Sequence, residues 1–457
     1  MNTIGRSATA LAAIIAGTAA IVTVPATAQL HIAVEARVTL LARAYNATGQ
    51  QLFGQLGATP GNIVFSPYSI GTAVSMALSG ARGDTASEMM RALSMRMATD
   101  AIDTANAEML SILNGYDHSA APPVCPPGAT LNGRDCQMRP QGANQCQFGL
   151  RLVGDRCVGP GTSAPSARFL AANALMLGKR GDLIAADYVA TLKTRYAAEV
   201  FKDADLDDIN GWVAQKTEGK ISRILDRLDP NSVAVLLNAV YFKARWASMF
   251  DPKLTKDEAF NLTRSQTADV PMMSQTASFS VVSRGGYRAL RLNYQVPELG
   301  LVIVLPDEVE GVNAAARRLG PDELAELFMA LRDGQAKKPV ALALPRFKAE
   351  YRADLVMPFQ QAGIQKAFDA NSADFSGMTG RPPAAGRLHL DQIIHRAVIE
   401  VSEESTEAAA ATAVGIRSMA IPAPSPVSFR VDHPFLFYLV DDTTGAILFQ
   451  GRIADPR

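Results

Sequence analysis

Five histidines, four cysteines and two adjacent glutamates are the residues of this chain whose types could do chemistry. The histidines are scattered, and none sits in H-E-x-x-H. There is also no G-x-S-x-G and no P-loop, so the common hydrolase, zinc-protease and nucleotide-binding signatures are absent from the sequence. Glu403 and Glu404 could form a carboxylate pair, but adjacent residues of a strand face opposite ways. Glu403 therefore reads as a salt-bridge partner and Glu404 as solvated. The cysteines lie in a proline- and glycine-rich stretch, residues 117–167. Cys125 to Cys136 and Cys146 to Cys157 both fit C-x-x-G-x-x-L-x-G-x-x-C. Four cysteines allow three pairings, and the repeat favours Cys125–Cys136 with Cys146–Cys157. Ten-residue gaps without a CxxC or a histidine pair argue against zinc. The stretch reads as an inserted minidomain too small for a core of its own.

The most unusual stretch begins after Glu403. As an alanine-rich run it suits a helix, yet a period of two fits better. Thr406, Ala408, Ala410, Thr412, Val414 and Ile416 form one uncharged face, whereas Glu407, Ala409, Ala411, Ala413, Gly415 and Arg417 form the other and take both charges. Strand side chains alternate faces, so this segment could slide into a sheet with its small face on a core. Pro422, Pro424 and Pro426 lack backbone donors and should end any ladder pairing.

The 457 residues are 48% hydrophobic and 19% charged, enough to bury a sizeable core. Lysine plus arginine balance aspartate plus glutamate at 44 each, so no global field points to nucleic acid or an anionic membrane. Arg6, an apolar stretch from about Ala8 to Val24 and then Ala26-Thr27-Ala28 read as a signal peptide over residues 1–28, with cleavage before Gln29. A membrane anchor is the competing reading, although the apolar stretch is near the short limit for spanning. The expectation is a secreted or periplasmic protein, in which disulfides are the default.

The remaining pattern alternates strands and helices. Val34 to Leu56 has helical periodicity, Asn62 to Ile70 is a strand broken at Pro67 into a helix, and Thr85 and Glu88 have capping-box spacing. Ala171–Leu177, Val233–Phe242 continuing to Trp246, Leu301–Pro306 and Val340–Phe347 read as strands, and Ile209–Ile221 as an amphipathic helix. The mixture predicts a mixed α/β chain with large antiparallel sheets.

Several of these segments resemble motifs of the serpins. Asn62 to Ile70 resembles their strand-to-helix motif, and Leu237 to Trp246 and Leu344 to Phe347 resemble two sheet strands. Ile394 to Thr412 resembles their strand, hinge and loop, and Asp432 to Phe437 their C-terminal strand motif. The resemblance covers residues 29–457 except the cysteine-rich insertion. It implies a serpin fold with three β-sheets, about eight or nine helices and an exposed reactive-centre loop, here residues 403–426. Ser66, Ser69, Asn238 and His395 match the shutter, a polar cluster beneath the point where the main sheet opens. Trp246, Arg346 and Glu403 match the breach, where the loop first enters. Glu404, Ser405, Thr406, Glu407, Ala408, Ala409, Ala410, Ala411 and Thr412 match the hinge. Ser405 stands where inhibitory serpins usually have glycine, and its Cβ restricts the backbone.

The activity implied is irreversible, mechanism-based inhibition of serine endopeptidases, not catalysis. The partner is a serine protease held as a covalent acyl complex. No cofactor, metal, nucleic acid or membrane is implied, and a monomer is expected. Spacing from Glu403 in the family puts the reactive bond at Met419–Ala420, which suits elastase-, chymotrypsin- or subtilisin-like enzymes; Arg417–Ser418 is the alternative for trypsin-like ones. Two other readings are a non-inhibitory, chaperone-like binding module and inhibition of papain-like cysteine proteases by the same loop.

Overall fold

The computed structural model describes residues 26–118, 125, 127, 129–132, 135–140, 151–153, 155–160, 166–178, 183–229, 231–383, 388–403 and 425–457. The elements run α1 (Ala26–Leu56), β1 (Ile63–Phe65), α2 (Pro67–Gly80), α3 (Gly83–Ala92) and α4 (Thr99–Asn114). After them come β2 (Thr130–Asn132), β3 (Asp135–Met138), β4 (Arg151–Val153), β5 (Arg156–Pro160), β6 (Ala167–Leu177), α5 (Ala186–Tyr196), β7 (Glu199–Lys202) and α6 (Leu206–Lys216). The middle of the chain gives β8 (Ala234–Ala244), β9 (Lys256–Asn261), β10 (Thr267–Arg284), β11 (Tyr287–Asn293), β12 (Leu299–Pro306), α7 (Val312–Arg318) and α8 (Pro321–Arg332). The last third gives β13 (Lys337–Pro345), β14 (Phe347–Asp354), α9 (Val356–Gln361), α10 (Ser376–Thr379), β15 (Gln392–Val401), β16 (Val427–Arg430), β17 (Phe435–Asp441) and β18 (Ile447–Ile453). Eight of the ten α-helices among the described residues have seven residues or more, in line with the eight or nine expected.

One sheet has the order β14-β15-β8-β6-β7. Its central pair, β15 and β8, is parallel, and each is antiparallel to its outer neighbour. Nine further strands run β1-β18-β17-β12-β11-β10-β13-β16, with β9 on β10. The 18-residue β10 serves two sheets, since its first part pairs with β9 and β13 and its last five residues with β11. Together these give the three sheets expected. Every residue of β12 is buried, as its unbroken apolar run requires of a strand covered on both faces.

Local chemistry explains the element ends. Ser66 caps α2, accepting from the Ser69 amide at 3.0 Å, and Pro67 takes the first turn, where a missing donor costs nothing. Gly71 is required because a Cβ there would lie 2.2 Å from the Tyr45 ring. The capping box expected at Thr85 and Glu88 does not form. Instead the Thr85 hydroxyl accepts from the Asp374 amide and the Glu88 carboxylate from the amides of Gln365 and Lys366, so both side chains fasten a distant segment. Val340 to Phe347 is not one strand either. The chain leaves one sheet at Pro345 and joins another at Phe347, with Arg346 at the crossing.

The cysteine-rich stretch builds a separate four-stranded sheet, β2-β3-β5-β4, one hairpin from each repeat. Cys136 and Cys157 are buried at its centre. Cys125 is disulfide-bonded to Cys136, as expected; Cys157 is also disulfide-bonded, and Cys146 lies outside the described residues. The two ends of the insertion meet where the Ala167 amide donates to the Tyr116 carbonyl at 3.0 Å. Among the described residues no helix is long and apolar enough to cross a membrane. Helix α1 runs unbroken through Ala28 and Gln29, the expected cleavage position.

Candidate functional site

The site is the seam between β15 and β8. Ladder pairing runs from Gln392 opposite Val235 to Val398 opposite Tyr241 and stops there, although β15 continues to Val401 and β8 to Ala244. The seam is therefore zipped below and parted above. A segment folding back from the upper end of β15 into this gap would lie antiparallel to both neighbours.

Beneath the seam lies a buried polar cluster. Side chains from four elements or their ends meet: Ser66 and Ser69 at the start of α2, Asn173 of β6, Asn238 of β8 and His395 of β15. The Ser66 amide donates to His395 Nε2 at 3.3 Å, which leaves the proton on Nδ1, 2.5 Å from Asn238 Oδ1. Asn238 Nδ2 donates to Ser69 Oγ and to Asn173 Oδ1, both at 2.5 Å. Full burial pushes the pKa of His395 down to about 3, so the ring is neutral. Every member has a partner, as buried polar groups require, and the bond between His395 and Asn238 crosses the seam itself, from β15 to β8. The four residues expected to meet do so. Asn173 is an addition that sequence reasoning missed; its signal is a lone amide inside the apolar run Ala171–Leu177.

At the parted end, Trp246 stacks on Tyr294, ring centroids 4.4 Å apart, and donates from Nε1 to the Ser402 carbonyl at 2.9 Å. The Glu403 carboxylate accepts from the Thr255 hydroxyl at 2.7 Å and lies 3.5 Å from Arg346 Nη1. Its backbone carbonyl accepts from the Phe250 amide at 3.0 Å. Trp246, Arg346 and Glu403 thus converge as expected. Glu403 is buried while Arg346 is half exposed, so the hydroxyl does more than the guanidinium to hold the carboxylate. Tyr294 and Thr255 left no signal in the sequence.

A segment after α6 straps the seam from outside. Asn210 of α6 holds the amides of Ile224 and Leu225 at 2.8 and 3.1 Å. From there the strap reaches the far side: Lys220 Nζ lies 3.1 Å from Glu400, Arg396 donates to the Arg223 carbonyl and Arg352 to the Ile224 carbonyl at 3.4 Å. Hinge residues Glu404 to Thr412 and both expected reactive bonds, Met419–Ala420 and Arg417–Ser418, lie outside the described residues. Among the described residues no group of three or more His, Cys, Asp or Glu gathers to hold a metal ion.

A mixed α/β chain with its main sheet parted at one end between parallel strands, and a polar cluster beneath the seam, has the serpin fold. The chain belongs to the serpins: the family model Serpin (serine protease inhibitor) matches residues 43–456. The chain is 32% identical over 428 residues to an uncharacterized serpin-like protein of Thermococcus kodakarensis, covering 91% of this chain and 85% of that one. It is 32% identical over 407 residues to the leukocyte elastase inhibitor of Xenopus tropicalis, covering 87% and 93%. Among solved structures it resembles Serpin48 of the insect Tenebrio molitor, with a TM-score of 0.69 and 25% identity, covering 91% of this chain and 98% of that one. Serpins are protease inhibitors that form complexes with target proteases, not catalytic enzymes. The expectation of a secreted or periplasmic protein is corrected here. Curated relatives matched over most of the chain, the leukocyte elastase inhibitors and serpin B6 among them, are intracellular serpins without a signal peptide.

Proposed function

We propose that this serpin inhibits serine endopeptidases of elastase-, chymotrypsin- or subtilisin-like specificity by trapping the acyl-enzyme, acting as a monomer. The observation that carries the reading is the parted seam between parallel β8 and β15, continuous in sequence with a segment whose one face is small and uncharged. A protease serine attacks the Met419 carbonyl carbon, the Ala420 amine leaves with a proton, and an ester joins the enzyme to Met419. Residues from Thr406 onward then enter the seam as a strand antiparallel to both neighbours. About a dozen new hydrogen bonds at roughly 0.5–1.5 kcal/mol net each give on the order of 10 kcal/mol before packing. Ser66, Ser69, Asn238 and His395 hold the closed sheet and re-pair as it opens; Trp246, Arg346 and Glu403 hold the point where the strand begins.

The test is to mix the protein with a panel of serine proteases, look for a complex that survives SDS, and weigh the C-terminal fragment released. A fragment beginning at Ala420 is expected. One beginning at Ser418 moves the reactive bond to Arg417 and the targets to trypsin-like enzymes. No stable complex with any serine protease overturns the reading.

A further inference from the structure

We infer that Asp391 is a positioning residue that pins the floor of the seam, and that it sets how far a strand can enter; this rests on the proposed loop insertion. Asp391 lies one residue below the last ladder pair, Gln392 with Val235. Its Oδ2 accepts from the amides of Val233 at 2.5 Å and Ala234 at 3.0 Å, and its own amide donates to the Ala234 carbonyl at 2.9 Å. One residue thus makes three hydrogen bonds across the seam, where an ordinary ladder residue makes at most two. Two of the three run to a carboxylate, and such charge-assisted bonds are about twice as strong as neutral ones. On the other side, His389 Nε2 lies 3.2 Å from Asp391 Oδ1, which fixes the carboxylate with Oδ2 toward the two amides.

Neighbouring strands lie about 4.8 Å apart, so a strand placed between β8 and β15 would move them to about 9.6 Å. An aspartate side chain does not span that gap. A fully inserted strand and the bonds from Asp391 to Val233 and Ala234 therefore exclude each other. The seam is already parted at the other end, so insertion starts there and meets Asp391 last. β15 has ten residues, and the alternating segment from Thr406 to Arg417 is long enough to run its whole length to the floor. Asp391 therefore holds the uncleaved protein against spontaneous insertion. It is also the bond set that a cleaved loop has to break to carry an attached protease the full length of the sheet.

A pin of this kind acts on one state only, which a merely structural aspartate would not do. Thermal unfolding of Asp391→Ala is to be measured before and after the loop is nicked by a protease that does not become trapped, together with the rate at which the intact protein loses inhibition on warming. The midpoint of the intact form should fall by about 2 °C or more, and spontaneous loss of inhibition should speed up about tenfold. The midpoint of the nicked form should not move. Equal losses in both forms, or no change in either, overturn the pin. A wild-type protein that gains no stability on nicking is a different result, and it removes the insertion reading itself. Should Asp391→Ala not fold, Asp391→Asn and His389→Gln are measured in the same way. Both should shift the intact form alone, by less than the alanine variant; a shift in both forms counts against the pin.

Discussion

At His395 the imidazole is neutral because it is fully enclosed, with Nε2 accepting from Ser66 and Nδ1 donating to Asn238. Its folded pKa lies near 3, below the ordinary value of 6.5. Below pH 6.5 the unfolded chain takes up a proton that the folded chain refuses. This contribution to stability is thus complete above pH 6.5 and is lost as pH falls, by about 1.4 kcal/mol per unit, until the folded pKa is reached. Denaturant unfolding should approach this slope in the wild type between pH 6 and pH 5, below the ordinary histidine pKa, with little change between pH 7 and pH 6.5. His395→Gln should be less stable at pH 7 and should lack the slope. A variant that keeps the wild-type slope would show that another group carries it.

At the scale of elements, β15 and β8 are zipped below and open above, and the segment after β15 decides whether the opening is used. A strand entering there buries alternate residues, beginning with Thr406. Thr406→Arg would bury an unpaired charge, at a cost of at least several kcal/mol. Insertion should then lose to deacylation, with the loop cut as a substrate and the protease released. The stoichiometry of inhibition should rise by about tenfold or more, read by titrating active protease. Glu407→Arg faces the other way and should leave the stoichiometry within about twofold. If Thr406→Arg trapped protease as well as the wild type does, the alternating insertion model would be lost.

At the scale of the whole molecule, the cysteine-rich sheet stands on one neck between α4 and β6, with its own disulfide-bonded centre. The neck ends already meet through Tyr116 and Ala167, and closing a short loop in place of a long one costs little. Deleting Cys125 to Cys157 should leave the melting midpoint within about 2 °C and leave protease trapping unchanged. Loss of folded protein on that deletion would show the insertion to be part of the main core.

Much of this was legible in the chain. The apolar run of β12, the proline break before α2 and the repeated cysteine spacing are local patterns, and local patterns derive from backbone geometry and hydropathy. The partners of Trp246, Arg346 and Glu403 were only partly legible, since Tyr294 and Thr255 meet them through folding and not through spacing. Thr85 and Glu88 show the same limit: their spacing suits a helix cap, yet distant amides compete for both side chains and win. The crossing at Arg346 was hidden because an apolar run does not record which sheet each half joins. Asp391 is the clearest case. In sequence it is one acidic residue before a strand, and only the approach of the start of β8 gives its carboxylate two amides to hold. Sequence alone determined the family resemblance, carried by short motifs such as Asp432 to Phe437, and most of the sheet strands, carried by local hydropathy. Which polar groups close the seam was decided by tertiary structure, because hydrogen bonds form between neighbours in space, and the chain brings those together from more than 150 residues apart.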